Sequence, residues 1–127
     1  MGLIVPPTEM PITIYQGATF RKSFIWESGP TIAEAEPVDM TGCVSRAYIR
    51  EKYDSPVALL EMTTANGLIV LCAVPGGIDL WIPASVTATV PYLKRGARWD
   101  LEIEWPDGDV CRRFQGPVTI SPEVTHD

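Results

Sequence analysis

The chain holds a single imidazole, His126, next to the last of its 127 residues. Nucleophilic catalysis of the Ser-His-Asp or Cys-His kind needs an imidazole held by packing within hydrogen-bond reach of its partners. A position beside the chain end is normally frayed, so His126 is expected to be a solvated tail residue. Five carboxylates crowd one stretch: Asp100, Glu102, Glu104, Asp107 and Asp109. Hard cations take several such groups on a loop, but this spacing does not match a DxDxDG calcium loop, and Arg112 and Arg113 follow closely enough to neutralise the row. Glycosidase carboxylates face each other across a cleft, which neighbours on one strand face do not make. A solvated, ion-paired sheet face is expected, with no catalytic residue. Cys43, Cys72 and Cys111 form no CxxC pair and are odd in number, which fits neither a zinc site nor a disulfide framework. They are expected to be free and mostly buried, Cys72 and Cys111 acting as small hydrophobes inside apolar runs. Pro75-Gly76-Gly77 lacks the lysine of a phosphate-binding loop and no GxGxxG occurs, so neither metal nor cofactor is expected.

The elements that carry these residues follow from punctuation and periodicity. Proline or glycine recurs at short intervals from Pro6-Pro7 to Pro122, leaving room for strands and little room for helices. Short strands with regular turn signals are the pattern of an all-β sandwich or barrel. Phe20, Phe24 and Trp26 fall on one parity and Arg21, Ser23 and Glu27 on the other. From Trp99 to Trp105 the alternation is cleaner: Trp99, Leu101, Ile103 and Trp105 point one way, Asp100, Glu102 and Glu104 the other. That is a half-buried antiparallel strand. Further strands are expected at Ile12–Gln16, Val44–Lys52, Ala58–Thr63, Leu68–Ala73, Ile78–Ile82, Val110–Gln115 and Val118–Ser121, about nine in all. Ala84–Val90 has room for one helical turn at most, capped by Ser85. Asp107-Gly108 predicts a tight hairpin pairing Trp105 with Val110, Leu101 with Phe114, and Glu102 with Arg113. Ala65-Asn66-Gly67 predicts a second, joining Leu59–Met62 to Leu68–Leu71.

Length and charge bound the role. A chain of this length makes one domain. Acidic residues outnumber basic ones 16 to 10, and the basic ones are scattered, so no stripe exists to neutralise a phosphate backbone and no nucleic-acid partner is expected. The longest apolar runs are far shorter than a bilayer span, and the N-terminus has neither a signal peptide nor a myristoylation pattern; a soluble, unexported chain with no membrane contact is expected. Residues 1–10 form a separate N-terminal arm, and 11–127 a single β domain. The Leu3-Ile4-Val5 cluster either docks on a partner or covers an open end of the same fold. Residues 27–42 read as a long acidic loop between sheets. Trp26, Trp99 and Trp105 fall on apolar parities. Trp81 shares a parity with Asp79 and, if exposed, would anchor a protein interface or stack on a sugar ring. Leu3, Ile4, Val5 and Trp81 are thus the interface candidates.

Several motifs taken together carry a resemblance. Ile14-Tyr15-Gln16-Gly17-Ala18-Thr19-Phe20, with Phe24 and Trp26, is followed by Pro37-Val38-Asp39-Met40-Thr41-Gly42 and Arg46-Ala47-Tyr48-Ile49-Arg50. Then come Gly77-Ile78-Asp79-Leu80-Trp81-Ile82-Pro83, Trp99-Asp100-Leu101-Glu102-Ile103, Pro106-Asp107-Gly108 and Gly116-Pro117-Val118-Thr119-Ile120-Ser121. In order and spacing these resemble small proteins encoded among the tail and baseplate genes of tailed bacteriophages, over roughly residues 12–125. The resemblance implies an antiparallel immunoglobulin-like β-sandwich of eight or nine strands and a non-enzymatic structural role in the virion, at the tail, baseplate or neck. It implies several copies in a symmetric assembly, bound to other tail or baseplate proteins and made in the host bacterial cytoplasm. It brings no catalytic residues. The alternative is a carbohydrate- or receptor-binding module that uses Trp81 or Tyr92. Because a sheet edge can accept a neighbour's extended strand, residues 1–10 are expected to serve as such an arm, dispensable for folding.

Overall fold

The computed structural model describes residues 5–126. Among them the chain forms β1 (Thr8–Glu9), β2 (Ile12–Tyr15), β3 (Phe20–Ile25), β4 (Glu27–Ser28), β5 (Glu36–Pro37), β6 (Val44–Arg50), β7 (Leu60–Thr63), β8 (Ile69–Leu71) and β9 (Gly77–Ile82). A helical turn, α1 (Ala84–Thr87), and two long strands, β10 (Ala97–Glu104) and β11 (Val110–Ser121), complete it. The protein is all-β. Its larger sheet runs β1-β11-β10-β6-β7, with β2 also on β11; a second sheet runs β3-β9-β8, and β4 pairs with β5 in a small ribbon.

Both larger sheets turn apolar faces to one core. Trp99, Leu101 and Ile103 of β10 meet Ala47 and Ile49 of β6, Phe114, Val118 and Ile120 of β11, and Ile78, Leu80 and Ile82 of β9. Period-two alternation does this, since every second side chain of a strand shares a face. Trp26, Trp99 and Trp105 are buried as their parity indicated.

The hairpin after β10 differs instructively from its predicted register. Leu101 does pair with Phe114, but Glu102 faces Arg112, Ile103 faces Cys111 and Glu104 faces Val110, with a bulge in between. The turn is one residue longer than a two-residue Asp-Gly turn: the Trp105 amide donates to the Asp109 carbonyl, enclosing Pro106, Asp107 and a Gly108 at positive φ. The extra turn residue shifts the register, and the bulge at Arg113 restores it. The same bulge reverses parity, so Cys111 on one side and Phe114, Val118 and Ile120 on the other all point inward.

Val110–Gln115 and Val118–Ser121, expected as separate strands, are one strand through Pro117. The Gln115 carbonyl faces the sheet edge, where it accepts from the Met10 amide at 2.8 Å. Two residues on, Pro117 turns its missing donor to the same edge, between the last β1 pair (Glu9 with Gln115) and the first β2 pair (Val118 with Ile12). The ladder along that edge is interrupted there, and the Met10 carbonyl accepts from the Trp99 indole instead.

Three other expectations change. Ala65-Asn66-Gly67 does not close a hairpin: β7 pairs with β6 and β8 with β9, so the turn carries the chain from one sheet to the other. Asn66 holds it, accepting from the Thr63 and Leu68 amides and donating to the Glu61 carbonyl. The acidic segment after Trp26 contains the β4–β5 ribbon. Pro83, not Ser85, stands at the start of α1 with no side-chain cap, and the turn is pinned by the buried Thr87 hydroxyl donating to Ala18 O at 2.8 Å.

Of the expected arm, Leu3 and Ile4 lie outside the described residues, and residues 5–10 lie on the chain's own large sheet. Thr8 and Glu9 pair in parallel with Phe114 and Gln115. The Trp99 indole donates to Met10 O at 2.7 Å, Arg113 donates to the Thr8 hydroxyl, and Val5 packs against the core. Gly116 permits this close seating, because a Cβ there would stand 2.8 Å from the Met10 carbonyl oxygen. Gly116→Ala is therefore expected to lift residues 5–10 from the sheet and to cost roughly 1–3 kcal/mol. Urea unfolding measures the loss, and faster proteolysis ahead of Ile12 in native buffer locates it.

Candidate functional site

The outer face of the large sheet is organised in rows across β6, β10 and β11. Arg46, Glu102 and Arg112 form one row; Tyr48, Asp100 and Gln115 the next; Arg50, Arg98 and Pro117 the third. In the first, Arg46 donates to Glu102 Oε1 at 3.2 Å and to Glu104 Oε1 at 3.1 Å. Its hydrogen bond with Glu104 leads the effects that raise the Arg46 pKa. Arg112 lies 3.6 Å from Asp100. Asp100 nevertheless titrates above the ordinary aspartate value, because burial outweighs that pairing. The carboxylate row is thus ion-paired as expected, but chiefly through Arg46.

Arg113, expected to help neutralise the row, is the bulge residue and does something else. Its guanidinium lies 5.1 Å from the Trp26 ring centroid and 5.0 Å from that of Phe114. Burial lowers its pKa, and its Nε is enclosed without a hydrogen-bond partner. It stacks between core aromatics and holds β1 through Thr8.

Where the second and third rows meet, the sheet forms an open concavity of about 600 Å³, with Tyr48, Arg50, Arg98, Asp100 and Arg112 on its walls and Tyr53 at its margin. Arg50 donates to Ser55 O at 3.0 Å and lies 5.5 Å from the Tyr48 ring centroid. Arg98 is exposed and makes no ion pair or hydrogen bond through its side chain among the described residues.

The second sheet has a different outer face. Trp81 is 41% exposed. Val70, 47% exposed, is registered with Asp79 and so lies diagonal to Trp81, while Ile25, 54% exposed, pairs with Gly77 at the far end of the same face, beyond Ser23 and Asp79. Arg21, directly opposite Trp81, places its guanidinium 5.8 Å from the indole centroid. Trp81 is therefore an outward residue, as its parity with Asp79 indicated. Val70 and Ile25 also follow from parity: Ile25 shares a face with Arg21 and Ser23, and Val70 is registered with Asp79. Val5 is partly buried and packs against the core.

His126 is exposed. Among the described residues no three His, Cys, Asp or Glu side chains are grouped to hold a metal ion, and no helix is long and apolar enough to cross a membrane. Cys111 is buried and Cys43 partly buried, but Cys72 is exposed, correcting its expected burial. It follows β8 at a φ of 62°, where the strand has ended and the side chain leaves the core. No family model matches this chain, and no curated protein matches it.

Burial, the leading cause, pushes the Cys43 thiol up to about 11, leaving little thiolate at neutral pH. Iodoacetamide at pH 7.5 is accordingly expected to alkylate Cys72 first, with Cys43 and Cys111 reacting only as the protein unfolds. Peptide mass mapping over a time course checks the order.

Proposed function

We propose that this chain is a non-enzymatic structural component of a bacteriophage virion, at the tail, baseplate or neck, with its two sheets arranged as an immunoglobulin-like β-sandwich. It binds neighbouring virion proteins, in several copies within a symmetric assembly. The observation that carries this reading is the outer face of the β3-β9-β8 sheet. An exposed tryptophan on a rigid sheet is a usual anchor of a protein contact, and tryptophan and arginine are among the residue types most enriched at interface hot spots. Trp81 and Arg21, directly opposite each other, supply that combination, with Val70 diagonal to the indole, on strands held from behind by Ile78, Leu80 and Ile82. The order of motifs from Ile14 to Ser121 supports the virion assignment, and a sole imidazole left exposed near the chain end supports a role without catalysis.

A second reading, a carbohydrate- or receptor-binding module, is favoured by the accessible Trp81 indole, which could stack on a sugar ring. Glycan-array binding that disappears in Trp81→Ala would select it.

Trp81→Asp is expected to leave the circular dichroism spectrum and thermal midpoint nearly unchanged, since the side chain lies outside the core, while preventing incorporation into particles. Mass spectrometry of purified virions carrying each variant reads this out. Normal incorporation of Trp81→Asp would remove this face from the assembly, and absence of the wild-type chain from virions would overturn the role.

A further inference from the structure

Across the β6–β10 ladder, Arg50 and Arg98 stand directly opposite each other. Like charges in that position repel, and natural pairs of this kind are normally relieved by a carboxylate nearby. Here Asp100 offsets Arg50 only in part, since it is paired with Arg112, while Glu102 and Glu104 are paired with Arg46. The protein as a whole carries a net charge of −6, yet at this point it sets two arginines in register at the wall of a concavity of about 600 Å³, Arg50 donating to Ser55 O and Arg98 without a partner of its own among the described residues. That volume falls within the usual range of small-molecule sites.

We propose that this concavity is a binding site for a hydroxylated carboxylate of the hexuronate class, its carboxylate bridging Arg50 and Arg98. The acceptors beside the arginines select this chemistry over its competitors. Asp100 and Gln115 face each other in the adjoining row, and a carboxylate has lone pairs to spare beyond one arginine contact. They accept the ring hydroxyls. Tyr53, 84% exposed at the margin, offers a face to the ring. A bare anion would use the guanidinium groups and ignore the acceptors. A run of phosphates would meet Asp100, Glu102 and Glu104 along β10 and be repelled. The site lies on the other sheet from Trp81 and does not depend on the virion role.

The test is an amide chemical-shift titration of the intact chain with glucuronate, glucose and acetate. Glucuronate is expected to give saturable shifts centred on Arg50, Arg98 and Asp100, with glucose and acetate at least about tenfold weaker because each lacks half of the recognised chemistry. Arg98→Gln, at an exposed and unpartnered position, should fold normally and weaken glucuronate about tenfold, and Arg98→Lys should retain part of the affinity. Equal binding of acetate and glucuronate would reduce the site to a bare anion seat and overturn the proposal. So would unchanged glucuronate affinity in Arg98→Gln, or shifts that never saturate or map elsewhere.

Discussion

A single extra residue, Arg113, lets the strand from Val110 to Ser121 bury apolar side chains along its whole length. Without the bulge, Cys111 and Phe114 would lie on opposite faces, and one end of the longest strand would turn its apolar side outward. The bulge also accommodates the longer loop at Pro106-Asp107-Gly108, so turn and strand each need the other's irregularity. The displaced arginine is then used: it stacks on Trp26 and Phe114 and reaches the Thr8 hydroxyl, linking the hairpin to the edge strand that β1 begins.

From that strand the rest of the large sheet is built outward. On one side β10 and β6 follow in antiparallel register; on the other, β1 and β2 share the edge, interrupted where Pro117 has no amide to offer. Gly116 and the Trp99 indole make the interruption tight, the one by giving up a side chain and the other by satisfying the Met10 carbonyl. Thr8, Glu9 and Met10 thus lie along the sheet edge ahead of β2.

The two outer faces are chemically unlike. On the large sheet, charges alternate across the strands in the Arg46–Glu102–Arg112 row and then fail to alternate at Arg50 and Arg98. On the small sheet, Trp81 stands outward with Arg21 over the indole and Val70 diagonal to it. A polar concavity and an outward tryptophan thus lie on separate sheets.

How much of this was legible in the sequence depended on distance along the chain. Alternation is local, so Trp99, Leu101 and Ile103 declared their burial, and Trp81 its exposure, without any knowledge of neighbours. Turn chemistry is local too, and both Asn66-Gly67 and Asp107-Gly108 mark real turns. What a turn joins is not local. Asn66 would hold the same bend whether the chain returned on itself or crossed to the other sheet, and the pairing of β7 with β6 and of β8 with β9 shows that it crosses. The sequence determined an all-β chain and which face of each strand is apolar, because those follow from side chains two residues apart. Only the tertiary structure decided the bulge at Arg113, the docking of residues 5–10 and the meeting of Arg50 with Arg98, because each depends on strands brought together from distant parts of the chain.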